Sequence, residues 1–387
     1  MNSSHAQRVA HEAALQSFVL LKNDAGTLPL KLGGSIAVVG PMGDISPGSY
    51  NSDYEDAGMP ANAPNIADAI AALNSQHGGT TTRATGVAID SSNASGIPAA
   101  LALVAAADAT VLCVGIEKAQ EHEGMDRANT LLPGLQNNFS LQVLAAAQAA
   151  GKPVVLVTIS GGIVSIDDLV DPATAIIDAF NPAQQGPTAL AETLFGLANR
   201  WGKLPVTIYP GDYAGMQPIQ EMSLTSGPGR SHRYYNGTAL FTFGSGLSYT
   251  DFSLACAKDE SSGAAGRAAG TDDDGALSFL CTVKNTGTVA GDEVVMVMHS
   301  VSAAIKKAAD HPVPIQRLVG FDRASLAAGG AATMGFTMPK DRLALTDNTG
   351  AQVLYPGQHT LTFTRGHGMT VGITFTISKA DGFVLAR

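Results

Sequence analysis

Glu121-His122-Glu123-Gly124-Met125-Asp126-Arg127, followed at once by Leu131-Leu132-Pro133-Gly134, is the densest group of chemically able residues in the chain. Two carboxyls and an imidazole crowd into a loop just behind Ala109–Gly115, an apolar run that reads as a buried strand. Open α/β sheets bind ligands outside the carboxyl ends of their strands, so this loop stands where chemistry is expected. A carboxylic acid held against an apolar wall keeps its proton near neutral pH and can give it to a leaving oxygen. That is general acid/base work, and one carboxyl is only half of such a catalyst.

Other candidates carry less. Asp126 and Arg127 read as an adjacent charge pair that shapes the loop. Arg230 and Arg233 beside Tyr234 and Tyr235 offer cations and aromatic faces, suited either to a sugar subsite or to packing between domains. Ser160-Gly161-Gly162 follows a strand and suggests an anion nest. No Gly-x-x-x-x-Gly-Lys or Gly-x-Gly-x-x-Gly sequence accompanies it, so a tight turn is the better reading. Without a Gly-x-Ser-x-Gly elbow, a hydrolase triad is not expected. The nine His have no metal-ligand spacing, and neither a metal nor a cofactor is expected.

The elements that must position the loop are legible around it. Residues 5–21 have helical spacing, with Val9, Ala13, Leu15, Phe18 and Val19 on one side, and the chain then turns into a loop towards Leu30. Ser35–Gly40 is a β-branched run closed by Pro41, a buried strand. A helix through Ile66, Ala69, Ile70 and Leu73, a weak strand near 80–89 and a helix near 97–106 lead to the strand 109–115. Beyond the acidic loop, Leu135, Phe139, Val143 and Ala147 mark a helix, 153–159 and 175–180 are strands, and 187–195 is a helix ended by Gly196. Strands alternating with helices predict a mostly parallel sheet flanked by helices, an α/β sandwich.

The pattern changes after Tyr249. Residues 258–276, rich in Gly, Ala, Ser and Asp, read as a loop. Strict alternation follows at Leu277, Phe279, Cys281 and Val283, then at Val294, Met296 and Met298. It returns at Met334, Phe336 and Met338, at Leu361 and Phe363, and from Val371 to Ile377. These short strands predict an all-β sandwich. The expected division is 1–34 a leading helix and linker, 35–212 the α/β domain, 213–250 a bridge and 251–387 the β-sandwich.

With 387 residues, 45% of them hydrophobic, the chain can build two sizeable cores. A net charge of -10 with only 14% charged residues argues against nucleic acid as a partner, which calls for a basic footprint. No apolar run reaches ~18 residues, so no membrane span is expected, and Met1–His5 begins no apolar signal segment. Three cysteines make no disulfide framework. Cys113 reads as a core residue; Cys256 and Cys281 fall in successive strand-like segments, which leaves a pairing between them open.

Taken in order, these motifs resemble glycoside hydrolase family 3, the β-glucosidase and β-xylosidase family. Leu20-Leu21-Lys22-Asn23 with Leu28-Pro29-Leu30 looks like the start of that family's second domain, and Val38-Val39-Gly40-Pro41 like its first strand. Glu123-Gly124-Met125-Asp126-Arg127 with Leu132-Pro133-Gly134 is similar to the acid/base loop of the β-xylosidase-like members. Gly202-Lys203-Leu204-Pro205-Val206-Thr207 resembles a further family segment. Pro228-Gly229-Arg230, Arg233-Tyr234-Tyr235 and Phe243–Thr250 resemble the bridge into the last domain, with Ser245 where His is usual. Lys284-Asn285-Thr286-Gly287 and Ala290-Gly291-Asp292-Glu293-Val294 look like the fibronectin III-like domain that ends many members.

The resemblance implies the C-terminal part of a retaining β-glycosidase acting on a β-linked oligosaccharide or glycoside. Glu123 is the implied acid/base, with Glu121 as the alternative; Asp126, Arg127, Arg230 and Tyr234 are the implied substrate contacts. The family's Asp nucleophile sits on an N-terminal barrel, to be supplied by another chain or a longer gene product. Ser52-Asp53-Tyr54 is superficially similar to the nucleophile motif, but it follows the first strand of the second domain and reads as a loop carboxylate. The chain alone is therefore expected to be inactive, and a non-catalytic glycan-binding or structural remnant is the competing expectation. Family members are often secreted, yet no signal peptide is visible, so the compartment stays unassigned.

Overall fold

The computed structural model describes residues 3–50, 63–259, 276–380 and 383–385. Asp53 and most of the Gly-rich stretch 258–276 lie outside the described residues. The chain forms two compact units, Met1–Ile219 with Thr238–Tyr249, and Gln220–Gly237 with Thr250–Arg387.

The first unit is built on six strands: β1 (Val19–Asn23), β2 (Ser35–Val39), β3 (Thr80–Ala84), β4 (Ala109–Gly115), β5 (Val154–Ile159) and β6 (Ala175–Asp178). Their order across the sheet is β1-β6-β5-β4-β2-β3. All pairs are parallel except β1 with β6. Strands β4 and β5 are buried along their whole length, because both faces of the sheet are covered and a continuous apolar run is then the stable sequence. One face packs under the helices Ser4–Ser17, Ile66–Ser75 and Gly186–Leu194, around Phe18, Ile70 and Leu190. The other packs under Ile97–Ala106 and Gln136–Ala149, around Val104, Phe139 and Val143. Phe139 is fully buried, and truncating such a ring costs about 3–5 kcal/mol.

The first unit departs from the sequence reading at its start, where the helix expected over residues 5–21 ends at Ser17. Val19–Asn23 is an edge strand rather than the beginning of a loop, because its backbone pairs antiparallel with β6 at Val19↔Asp178 and Leu20↔Ile177. The antiparallel pairing leaves Val19 and Leu20 buried and Leu21, Lys22 and Asn23 only partly covered.

The second unit is a β-sandwich. Its strands are β7 (Phe252–Lys258), β8 (Leu277–Asn285), β9 (Gly291–Val301), β10 (Arg317–Leu326), β11 (Ala331–Met338), β12 (Leu345–Thr346), β13 (Gln352–Leu354), β14 (Gly357–Thr364), β15 (Val371–Ile377) and β16 (Phe383–Leu385). Sheets β10-β9-β14-β15 and β11-β8-β7 enclose a core of Phe279, Val283, Val295, Val297, Phe336 and Phe363, with a small sheet β12-β13-β16 beside them. Cys256 lies directly opposite Cys281 across β7 and β8, and the two are joined in a disulfide; Cys113 is free and buried. The alternating face expected at Val294, Met296 and Met298 is buried, but Val295 and Val297 are the residues that enter the core, since β9 is covered on both sides.

Candidate functional site

In the first unit the chain runs from β2 to β3 on one side and then to β4 on the other side of β2. That reversal opens a crevice at the carboxyl ends of β2 and β4, the place where open α/β sheets hold ligands. The acidic loop leaves β4 at this point. Its root is fixed by Gln136, whose buried amide accepts from Gly115 N at 2.9 Å and donates to the Gly115 and Ile89 carbonyls, each at 2.8 Å.

The loop then folds back on itself. Met125 N donates to His122 O at 2.9 Å and His122 N to Met125 O at 3.4 Å, which makes residues 122–125 a tight hairpin turn. Glu123 and Gly124 are its two tip residues. Gly124 has φ +84°, a conformation that costs a side-chain-bearing residue and suits glycine at the third position of such a turn. Glu123 is exposed, while His122 Nδ1 lies 2.7 Å from the Glu123 carbonyl oxygen.

The two carboxyls flanking His122 have different fates. Glu121 is half-buried and pairs with Arg127, with Nη1 3.3 Å from Oε2, and the same Nη1 donates to Ile163 O at 3.1 Å. Arg127 therefore bonds across the hairpin to Glu121 rather than pairing with its neighbour Asp126. The trailing arm is stitched down as well: Ser165 N donates to Thr130 O at 2.8 Å, and the two hydroxyls are 2.7 Å apart. Beside the turn lies a cleft of about 460 Å³ lined by Asp90, Gln120, Met125, Asp126, Arg127, Asn129 and Leu132 among others.

The structure thus brings Glu121, Glu123, Asp126 and Arg127 into one loop. Arg230 and Tyr234 belong to the second unit, where Arg233 lies over the Tyr234 ring at 5.7 Å and accepts at its carbonyl from Ile315 N at 2.7 Å. At Ser160-Gly161-Gly162 the space over Gly162 is taken by the Glu121 carboxylate, a neighbour invisible from sequence because it comes from a different strand's loop. Asp178, at the end of β6, also escaped the sequence reading. Burial pushes its carboxyl up to about 6, against hydrogen bonds from Phe180 N and Thr158 that lower it. Among the described residues, no group of three or more His, Cys, Asp or Glu could hold a metal ion, and no helix is long and apolar enough to cross a membrane.

The first unit is thus a mostly parallel sheet with an exposed carboxyl on an anchored turn beside a cleft, and the second is an all-β sandwich. Residues 18–249 match the glycosyl hydrolase family 3 C-terminal domain, and residues 304–365 the fibronectin type III-like domain. The exo-1,4-beta-xylosidase of Emericella nidulans is 34% identical over 369 residues, covering 93% of this chain and 46% of that protein. A solved family 3 exo-beta-xylosidase, in complex with a xylobiose aziridine activity-based probe, superposes with a TM-score of 0.84 at 30% identity, over 98% of this chain and 49% of that one. The family 3 β-glucosidase of Bifidobacterium adolescentis superposes with a TM-score of 0.81 at 25% identity, over 99% of this chain and 54% of that one. The chain belongs to glycoside hydrolase family 3. It spans about half the length of these relatives.

Proposed function

We propose that this chain is the C-terminal part of a retaining β-glycosidase of the β-xylosidase or β-glucosidase type, and that Glu123 is its acid/base. The observation that carries this reading is the contrast within the loop: Glu121 is tied to Arg127, while Glu123 stands exposed at the tip of a turn held beside the cleft. In the first step a carboxylate from an N-terminal barrel attacks the anomeric carbon, the bond from that carbon to the leaving oxygen breaks, and Glu123 gives its proton to that oxygen. In the second, the Glu123 carboxylate takes a proton from water as the water oxygen bonds to the anomeric carbon and releases the barrel carboxylate. Asp126 and Arg127 in the first unit, and Arg230 and Tyr234 in the second, remain proposed substrate contacts.

The nucleophile is not assigned to any residue of this chain, so the chain alone should hydrolyse neither aryl β-xylosides nor aryl β-glucosides. Joined to a compatible barrel, it should gain an activity that depends on Glu123. Glu123→Gln should then lower turnover of glycosides with poorly acidic leaving groups by about 10²–10⁴-fold, the range of general acid catalysis. Acidic phenols, which leave without a proton, should suffer far less in the glycosylation step. If Glu121→Gln alone produces the leaving-group-dependent loss, the acid/base is Glu121; if neither substitution does, the loop is not the acid/base site and a non-catalytic role becomes the better reading.

A further inference from the structure

The loop contains a second carboxyl that acid/base catalysis leaves unused, and beneath it a pair of glycines without an assigned role. Glu121 and Arg127 stand at the two feet of the hairpin whose tip is Glu123, and their ion pair closes its base. The Arg127 side chain is only 13% exposed and spends the same nitrogen on the Ile163 carbonyl, so the pair is fastened to the segment that follows β5. Glu121 is fastened there too. A β-carbon on Gly162 would stand 2.4 Å from Glu121 Oε2, 2.5 Å from Oε1 and 2.9 Å from Cδ, so the carboxylate lies over Gly162 in space that a side chain there would push it out of. On Gly161 the same atom would meet Asn181 Nδ2 at 3.0 Å and Glu121 only at 3.8 Å.

We propose that Glu121, Arg127 and Gly162 form a latch that holds the hairpin on segment 161–163 and thereby sets the direction in which Glu123 points. Glu121 is a positioning residue in this scheme, neither proton donor nor sugar ligand; the inference rests on the proposed role of Glu123. A fully solvated ion pair would be too weak for the task. Here the arginine is largely withdrawn from water and holds a carboxylate and a carbonyl at once, the arrangement in which charge-assisted bonds gain strength and direction. Direction matters, since misplacing a catalytic group by about 1 Å can cost on the order of 10²-fold in rate.

The latch can be read in the chain itself, without activity. Trypsin cleavage after Arg127 and hydrogen exchange at the Met125 amide report whether the hairpin is held down. Relative to the natural sequence, Glu121→Gln and Gly162→Ala should each raise both rates by about tenfold or more, the scale on which local openings of marginal stability respond to a lost anchor. Gly161→Ala is the control and should leave both rates nearly unchanged. Protection of the β4 and β5 amides reports that the fold is intact; should Gly162→Ala lose it, Glu121→Gln decides alone. Unchanged cleavage and exchange in Glu121→Gln overturn the latch whatever Glu123 does. In the barrel-joined protein, Glu121→Gln should act through Glu123: it should lower kcat more for poorly acidic than for acidic leaving groups, by a smaller factor than Glu123→Gln, and keep the pH–rate profile. A leaving-group-dependent loss in Glu121→Gln with none in Glu123→Gln would make Glu121 the proton donor and overturn its positioning role. If the hairpin loosens as expected while Glu123→Gln leaves activity intact, the acid/base assignment falls and the latch as a loop anchor stands.

Discussion

The two units handle their ionisable side chains in opposite ways. The α/β unit brings its charged groups to the rim: the acidic loop rises from the end of β4, and Asp178, buried at the end of β6, is held by hydrogen bonds without a cation. The sandwich buries partnered charges along β9. Glu293 accepts from Arg365 at 2.9 Å with both side chains under a tenth exposed, and Asp292 accepts from Ser325 Oγ at 2.6 Å and from Arg323 at 3.3 Å. Beside them runs a directed chain of neutral imidazoles. Arg317 Nε donates to His299 Nδ1 at 3.4 Å, which leaves His299 Nε2 to donate to His359 Nδ1 at 2.9 Å and His359 Nε2 to donate to Tyr355 O at 2.8 Å. Groups satisfied by one another inside a fold have nothing left for a ligand. Along β9 the buried charges hold structure, whereas on the α/β rim the Glu123 carboxyl stands exposed.

The largest test of that contrast is to remove one partner of a buried pair. Arg365→Ala should destabilise the sandwich by about 3–5 kcal/mol, because the buried Glu293 carboxylate loses its cation; hydrogen exchange resolved by strand should show the loss in β9 and β14 and not in β4 and β5. A loss below ~1 kcal/mol, the range of surface pairs, would remove the distinction. Reducing the Cys256–Cys281 disulfide, whose ends are 25 residues apart, should cost the sandwich on the order of 3 kcal/mol. Chemical denaturation with and without reductant measures it, and Cys113 should react with thiol reagents only on unfolding.

Acid and base should separate the units. Asp178 has a folded value of about 6, above its ordinary 3.8, so its contribution is present below pH ~4 and lost as pH rises through 6, by about 3 kcal/mol at pH 7. Asp178→Asn, which keeps the acceptor for Phe180 N, should abolish that decline and stabilise the α/β unit at pH 8. His299 is held down to about 3, first by burial, then by the charge of Arg317 and by the adjoining His359 whenever that ring is protonated, so the sandwich loses stability as pH falls from 6.5 towards 3. The smallest of the effects is His299's share at pH 5, about 2 kcal/mol. If both units weaken in the same direction of pH, the contrast in their buried groups is wrong.

What could be read from sequence followed from how completely each element is buried. Strands β4 and β5 are covered on both faces, so Val111–Val114 and Val154–Val157 are apolar throughout, and the parallel sheet was legible from them. Strand β8 buries one face and alternates as expected. Strand β10 eluded the pattern because Gly320, Asp322 and Arg323 interrupt any alternation and most of its residues are only partly covered. Edge strand β1 eluded it because pairing to β6, not its own five residues, makes Val19–Asn23 a strand.

The sequence alone determined that two carboxyls would sit in a loop behind β4, since an apolar run must end and Glu121-His122-Glu123-Gly124 cannot continue it. It could not separate the two carboxyls, which lie two residues apart with the same chemistry. Only the tertiary structure did so, by bringing Gly162 and the Ile163 carbonyl from the loop after β5 beneath one of them. Glu121 turns inward because a seat and a cation wait there, and Glu123 turns out because the tip of a tight turn gives it nothing else to bind.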